Sequence, residues 1–163
     1  MIQELRDELQ ILAASDDVAV LMAGVLQYPT PALSSAVAKA FDAERAALVH
    51  RAEAAVASAK GELNACCESK ELLDIDATLG KYGGARDALG PELDLLATHR
   101  QQVLAAAHAE VEAMLSSAGT TDGIARLYAR LEGWPTLEHA RERLQENWAR
   151  SIRAKMIWMR GAG

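Results

Sequence analysis

Aromatic side chains are scarce, at 4% of the 163 residues, with a single phenylalanine. That shortage, beside abundant alanine and leucine, argues against a β-sandwich or barrel and for helix. Cysteine is almost missing too: Cys66 and Cys67 stand side by side, and adjacent cysteines strain against disulfide geometry. Without a disulfide framework the expected compartment is reducing and intracellular, cytoplasmic or cytoskeletal. No second spaced pair is there to complete a soft-metal site, so both are read as small core residues near a helix end. Long apolar runs are absent as well. The longest, Val18 to Leu26, falls far below the roughly 20 residues a bilayer requires, and the charged N-terminus lacks the plan of a signal peptide. Basic charge is in deficit, 17 Lys and Arg against 23 Asp and Glu, a net −6. No nucleic-acid partner is expected from that balance, nor a membrane.

The groups that carry chemistry do not converge in the sequence. His50, His99, His108 and His139 form no HExxH and no Glu-x-x-His pair that repeats across helices. Asp74-Ile-Asp76 lacks the alternating ligands and closing Glu of a calcium loop. The glycine-rich stretch from Gly80 to Arg86 follows a helical pattern rather than a strand and has no Gly-Lys-Ser/Thr ending, so it reads as a turn. Ser34-Ser35 and Ser116-Ser117 have no neighbouring base. No catalytic residue, cofactor or metal ligand is assigned, and the chain is not read as an enzyme.

What is there is internal similarity. Ser15 to Tyr28, Ser69 to Tyr82 and Thr121 to Trp134 align, and the closing aromatics stand 54 and 52 residues apart. Within them Val18, Leu21 and Val25 match Leu72, Ile75 and Leu79, and Ile124, Leu127 and Leu131. Steps of three and four put each trio on one helical face. Ser15, Ser69 and Thr120 or Thr121 are the expected caps, followed by acids that suit the positive end of a helix dipole. Each segment is thus a short helix, stopped by Tyr28-Pro29, Tyr82-Gly83-Gly84 or Gly133-Trp134-Pro135. Longer helices are expected from about Pro31 to Cys67, Ala85 to Ser117 and Thr136 toward Met159. Pro91 is expected to kink the second of these or delay its start. Arg45, Arg100 and Arg153 precede the apolar pairs Leu48-Val49, Val103-Leu104 and Met156-Ile157, which should be core.

The expected fold is all-α: an elongated array of alternating long and short helices with a repeat of 52–54 residues. Its units run roughly over 1–28, 29–82, 83–134 and a partial 135–163, as a segment of a longer array. A long helix of thirty residues climbs about 45 Å and a short one of twelve descends about 18 Å, so each unit advances roughly 27 Å. Ala36, Ala38, Ala40, Ala54, Ala55 and Ala105 to Ala107 offer close helix contacts, and Tyr28, Tyr82 and Trp134 would plug the junctions.

The end of the last helix has its own character. From Ala149 onward it carries Arg150, Arg153, Lys155 and Arg160 and no acid. Trp148, Ile152, Met156 and Met159 share one face, while Ile157 and Trp158 point elsewhere. Trp148, Ile152, Arg153, Met156, Ile157, Trp158 and Met159 are therefore the candidate partner-binding residues. Their expected partner is another copy, end to end, or a calmodulin-like protein that clasps basic helices.

The repeated caps (Ser15, Ser69, Thr121), the repeated aromatics (Tyr28, Tyr82, Trp134) and near-continuous helix give the chain a resemblance to tandem α-helical repeat rods, loosely spectrin-like, although its period is shorter. The resemblance implies a non-catalytic spacer, a structural scaffold with coiled-coil character in a cytoskeletal or ciliary-type assembly. Two alternatives stand beside it: a regulated binding module with residues 144–160 as a calmodulin-like target, and a compact helical-bundle enzyme or ligand carrier.

Overall fold

Asp17 starts the first short helix. Its carboxylate accepts from the backbone amides of Ala19 at 2.8 Å and Val20 at 3.4 Å, satisfying donors that a first helical turn leaves without partners. Ser15, the expected cap, instead accepts the Asp17 amide at 3.1 Å and so holds the true cap in place. The computed structural model describes residues 2–28, 36–116 and 121–161. Among these it is all-helical, with no strand: α1 (Ile2–Ala13), α2 (Val18–Gln27), α3 (Ala36–Cys66), α4 (Leu72–Tyr82), α5 (Arg86–Ser116), α6 (Thr121–Arg130) and α7 (Glu138–Gly161). Short 3-10 turns, Gly83–Ala85 and Pro135–Leu137, lead into α5 and α7. The expected long-helix start at Pro31, the cap at Thr120, and Ser34, Ser35 and Ser117 lie outside the described residues, as do the side chains of Ala36, Ala38 and Ala40.

Several boundaries differ from expectation. The second short helix, α4, begins at Leu72, three residues after Ser69, and the Ser69 amide donates to the Cys66 carbonyl at 3.0 Å, in the turn that ends α3. Ser69 is tied instead to α5, because His99 Nε2 lies 2.7 Å from its carbonyl oxygen. Thr121 is the first residue of α6 rather than its cap. Pro91 neither delays nor interrupts α5, which starts five residues earlier at Arg86. The proline removes the amide that would have met the Asp87 carbonyl.

The chain divides into two compact units, Met1–Ser69 with Asp74–His99, and Lys70–Leu73 with Arg100–Gly163. In the first, Leu9 of α1, Leu21 of α2, and Leu48 and Ala52 of α3 form one buried cluster, against which Leu12, Met22, Val25 and Tyr28 pack. Gly24 permits a close approach there: a Cβ would sit 3.2 Å from Leu12 Cδ1 and 3.4 Å from Leu48 Cδ2, tight enough that a neighbouring leucine would have to shift. The C-terminus of α2 is held by Arg45, whose Nε donates to the Tyr28 carbonyl at 2.8 Å, a cation at the negative end of a helix dipole. Farther along, Ala59, Leu63, Ile75, Leu89, Leu93 and Leu96 are buried. Leu89, Leu93 and Leu96 repeat at the four-three spacing of a coiled-coil seam.

In the second unit Val111, Ile124, Leu127, Leu131, Leu137 and Leu144 are buried, and Trp134 retains 2% of its surface. The chain leaves α6 through Gly133 at φ 80°, the left-handed geometry that follows many helices. A Cβ at that glycine would also meet Leu73 Cδ1 at 3.3 Å. The Trp134 amide donates to the Leu131 carbonyl, and the Trp134 carbonyl accepts from Leu137, so the indole is set between two helical turns. Arg141 lies 4.4 Å over the Tyr128 ring, joining α7 to α6.

The three aromatics differ in surroundings: Tyr82 and Trp134 are buried, Tyr28 half-buried. The alanines at helix contacts agree with expectation only in part. Ala107 is buried and Ala55 half-buried as expected, Ala54, Ala105 and Ala106 face solvent, and Ala52 and Ala59 are buried without having been expected. Because two amides depend on the Asp17 carboxylate, Asp17→Ala is expected to cost about 1 kcal/mol, read as a lower urea midpoint at unchanged slope. An unchanged midpoint would mean that Ser15 or water serves as well.

Candidate functional site

Residues that approach one another across the fold come from positions far apart in sequence. In the first unit the Glu62 carboxylate of α3 accepts from Lys81 Nζ at 2.6 Å and from the Tyr82 hydroxyl at 2.7 Å. Lys81 and then Tyr82 hold the Glu62 carboxyl below its usual value near 4.5, and Glu62 in turn drives Lys81 upward. Lys60 pairs with Glu92 at 2.8 Å and lowers that carboxyl in the same way. In the second unit Arg130 pairs with Glu110, and Arg143 with Glu112 at 2.7 Å. Apart from Lys60–Glu92, whose carboxylate is half-buried, these are exposed ion pairs, screened by salt and modest in worth.

The Glu62 pair has a pH signature. A carboxyl whose folded pKa lies below its unfolded value adds stability that is complete above about pH 4.5 and fades as pH falls through the folded value. Glu62→Gln should therefore lose less stability than the parent between roughly pH 6 and roughly pH 3, measured as urea midpoints. Parallel curves for the two proteins would show that the pair is too screened to register.

Cys66 and Cys67 are free thiols, half-buried at the end of α3. Burial first, and the neighbouring Cys66 second, push the Cys67 thiol up, away from the reactive thiolate. His108 and His139 are exposed, and His139 lies 3.5 Å from Glu142 on its own helix. Among the described residues no three His, Cys, Asp or Glu side chains gather to hold a metal ion, and no helix is long and apolar enough to cross a membrane.

The candidate partner-binding residues all lie on α7, which divides them. Trp148 and Ile152 are half-buried, and the Trp148 indole nitrogen is buried without a hydrogen-bond partner. Arg153 is exposed and has no ion-pair partner among the described residues; Ile157, one turn on, is 72% exposed. The side chains of Met156, Trp158 and Met159 lie outside the described residues. Ile157 was expected in the core at the repeat position of Val49 and Leu104; those two are half-buried, whereas Ile157 is exposed.

A feature with no signal in the sequence is an apolar groove of about 350 Å³ in the first unit. Met22 and Val25 of α2, Val49, Ala52 and Val56 of α3 and Ala88 of α5 line it, and Glu53 supplies its carboxylate. Glu53 is exposed and unpaired among the described residues, whereas the neighbouring cations Arg51 and Arg86 are engaged by Asp16 and Asp94. No protein-family model matches the chain, and no curated protein or solved structure matches it either.

Proposed function

We propose that this chain is a non-catalytic scaffolding module, an array of alternating short and long helices that mediates protein–protein contact in a cytoskeletal or ciliary-type assembly. The observation that carries the reading is the order of helix lengths after α1: 10, 31, 11, 31, 10 and 24 residues. Of each apolar trio at least two residues are buried: Val18 and Leu21, Leu72 and Ile75, and all of Ile124, Leu127 and Leu131. A helix carrying one such stripe needs its neighbours to cover it, which is how helical repeats build a continuous core. Small-angle scattering tests the proposal. An array of this length gives a radius of gyration well above the roughly 15 Å of a compact domain; a value near 15 Å removes the rod.

A second reading is favoured by the exposed Arg153 and Ile157 on an acid-free helix end: a regulated module whose basic C-terminal helix is grasped by a calmodulin-like protein. Calcium-dependent co-elution with calmodulin supports it, and equal elution with and without calcium removes it.

A further inference from the structure

Charge is unevenly shared along this chain. The first unit holds 7 Lys and Arg against 15 Asp and Glu, a net −8, and the second holds 10 against 8, a net +2. Four of the second unit's basic residues fall after Ala149, where no acid follows. The acidic unit contains the apolar groove, and the basic helix end contains an exposed isoleucine.

The patterns on the two surfaces also fit. Val49, Glu53 and Val56 are spaced four and three apart, so they share one face of α3, a carboxylate between two valines. Arg150, Arg153 and Ile157 are spaced three and four apart and share one face of α7, with cations one turn before an apolar knob. Four residues of helix rise about 6 Å, so an isoleucine seated beside Val49 or Val56 brings the preceding arginine level with Glu53. Arg150 is weakly engaged, 3.8 Å from Glu146 on its own helix, and Arg153 is unpaired among the described residues. A groove of about 350 Å³ accepts one or two such side chains, the way amphipathic helices dock.

We propose that the groove between α2, α3 and α5 receives the C-terminal helix of a second copy of this chain, Ile157 entering the groove and Arg153 pairing with Glu53. This rests on the scaffold reading and names its partner. The contact joins two different surfaces, so it leaves a groove free at one end and a basic helix at the other, and it grows into head-to-tail chains. With one apolar knob and one ion pair it is a weak contact, with a dissociation constant on the order of 10–100 µM.

Sedimentation velocity of the full chain from about 1 µM to 1 mM, a span chosen around that constant, tests it. The proposal expects average mass to rise with concentration and to fall at high salt. Glu53→Lys and Arg153→Glu each weaken association by about 10-fold, and the two changes in one chain restore it, because the charges have exchanged places. Ile157→Asp abolishes it. Circular dichroism checks that each exposed-site variant keeps its helix. A monomer throughout, or association indifferent to all three single changes, overturns the docking. So does failure of the charge exchange to restore it. A monomer whose scattering is still that of a rod leaves the scaffold standing, whereas association of compact molecules leaves the docking and removes the rod.

Discussion

Replacing Trp134 with alanine is expected to destabilise the second unit by roughly 3–5 kcal/mol, the usual cost of emptying a fully packed tryptophan site. The indole keeps 2% of its surface and sits where α6 gives way to the 3-10 turn ahead of α7. Its own backbone bonds to both sides, through Leu131 and Leu137, so the cavity left behind has little freedom to collapse. For a chain of this size the melting point should fall by about 6–20 °C. Amide exchange should quicken first in α6 and at the start of α7. A fall of under about 2 °C would mean that Leu127, Leu131 and Leu137 close the gap, and that the tryptophan is not the anchor of this junction.

Leu21→Asp should do still more harm, this time to the first unit. Leu21 has no exposed surface and lies in one cluster with Leu9, Leu48 and Ala52. A carboxylate there finds no cation in that cluster, and an unpaired charge in an apolar core costs far more than the lost methyls. A loss of about 4 kcal/mol or more is expected, enough to unfold α1 to α3 in a chain of ordinary stability. The control is Val20→Asp, one residue away on the same helix. Val20 is 40% exposed, so that change should stay within about 0.5 kcal/mol. If both variants lose helix equally by circular dichroism, the loss follows helix propensity rather than burial, and the core cluster is wrong.

Much of the helical pattern was legible because it repeats locally. Leu72 and Ile75, Ile124 and Leu127 could be placed on buried faces from spacing alone, since a helix brings residues three and four apart together. The caps were less legible. Ser15, Asp16 and Asp17 all have the chemistry of a cap, and only the backbone decides that Asp17 faces two free amides. At Ser69 the same residue type falls in the turn closing α3, three residues ahead of α4, an offset that composition does not encode. Pro91 does not delay the helix for a related reason: in the second turn of a helix a proline removes only one bond. The aromatics were read as equivalent, yet only Tyr82 and Trp134 are buried. The groove lined by Met22, Val56 and Ala88 could not be found at all, because its walls come from three helices whose approach no local spacing encodes.

The contact between His99 and Ser69 has a consequence for the proton on that ring. A carbonyl oxygen can only accept, so the imidazole must present Nε2–H to Ser69. The neutral ring is therefore confined to one of its two tautomers, with Nδ1 bare, and nitrogen chemical shifts would tell the two atoms apart. With its donor nitrogen fixed in this way, the ring latches the α3–α4 turn to α5 through a bond of one direction only.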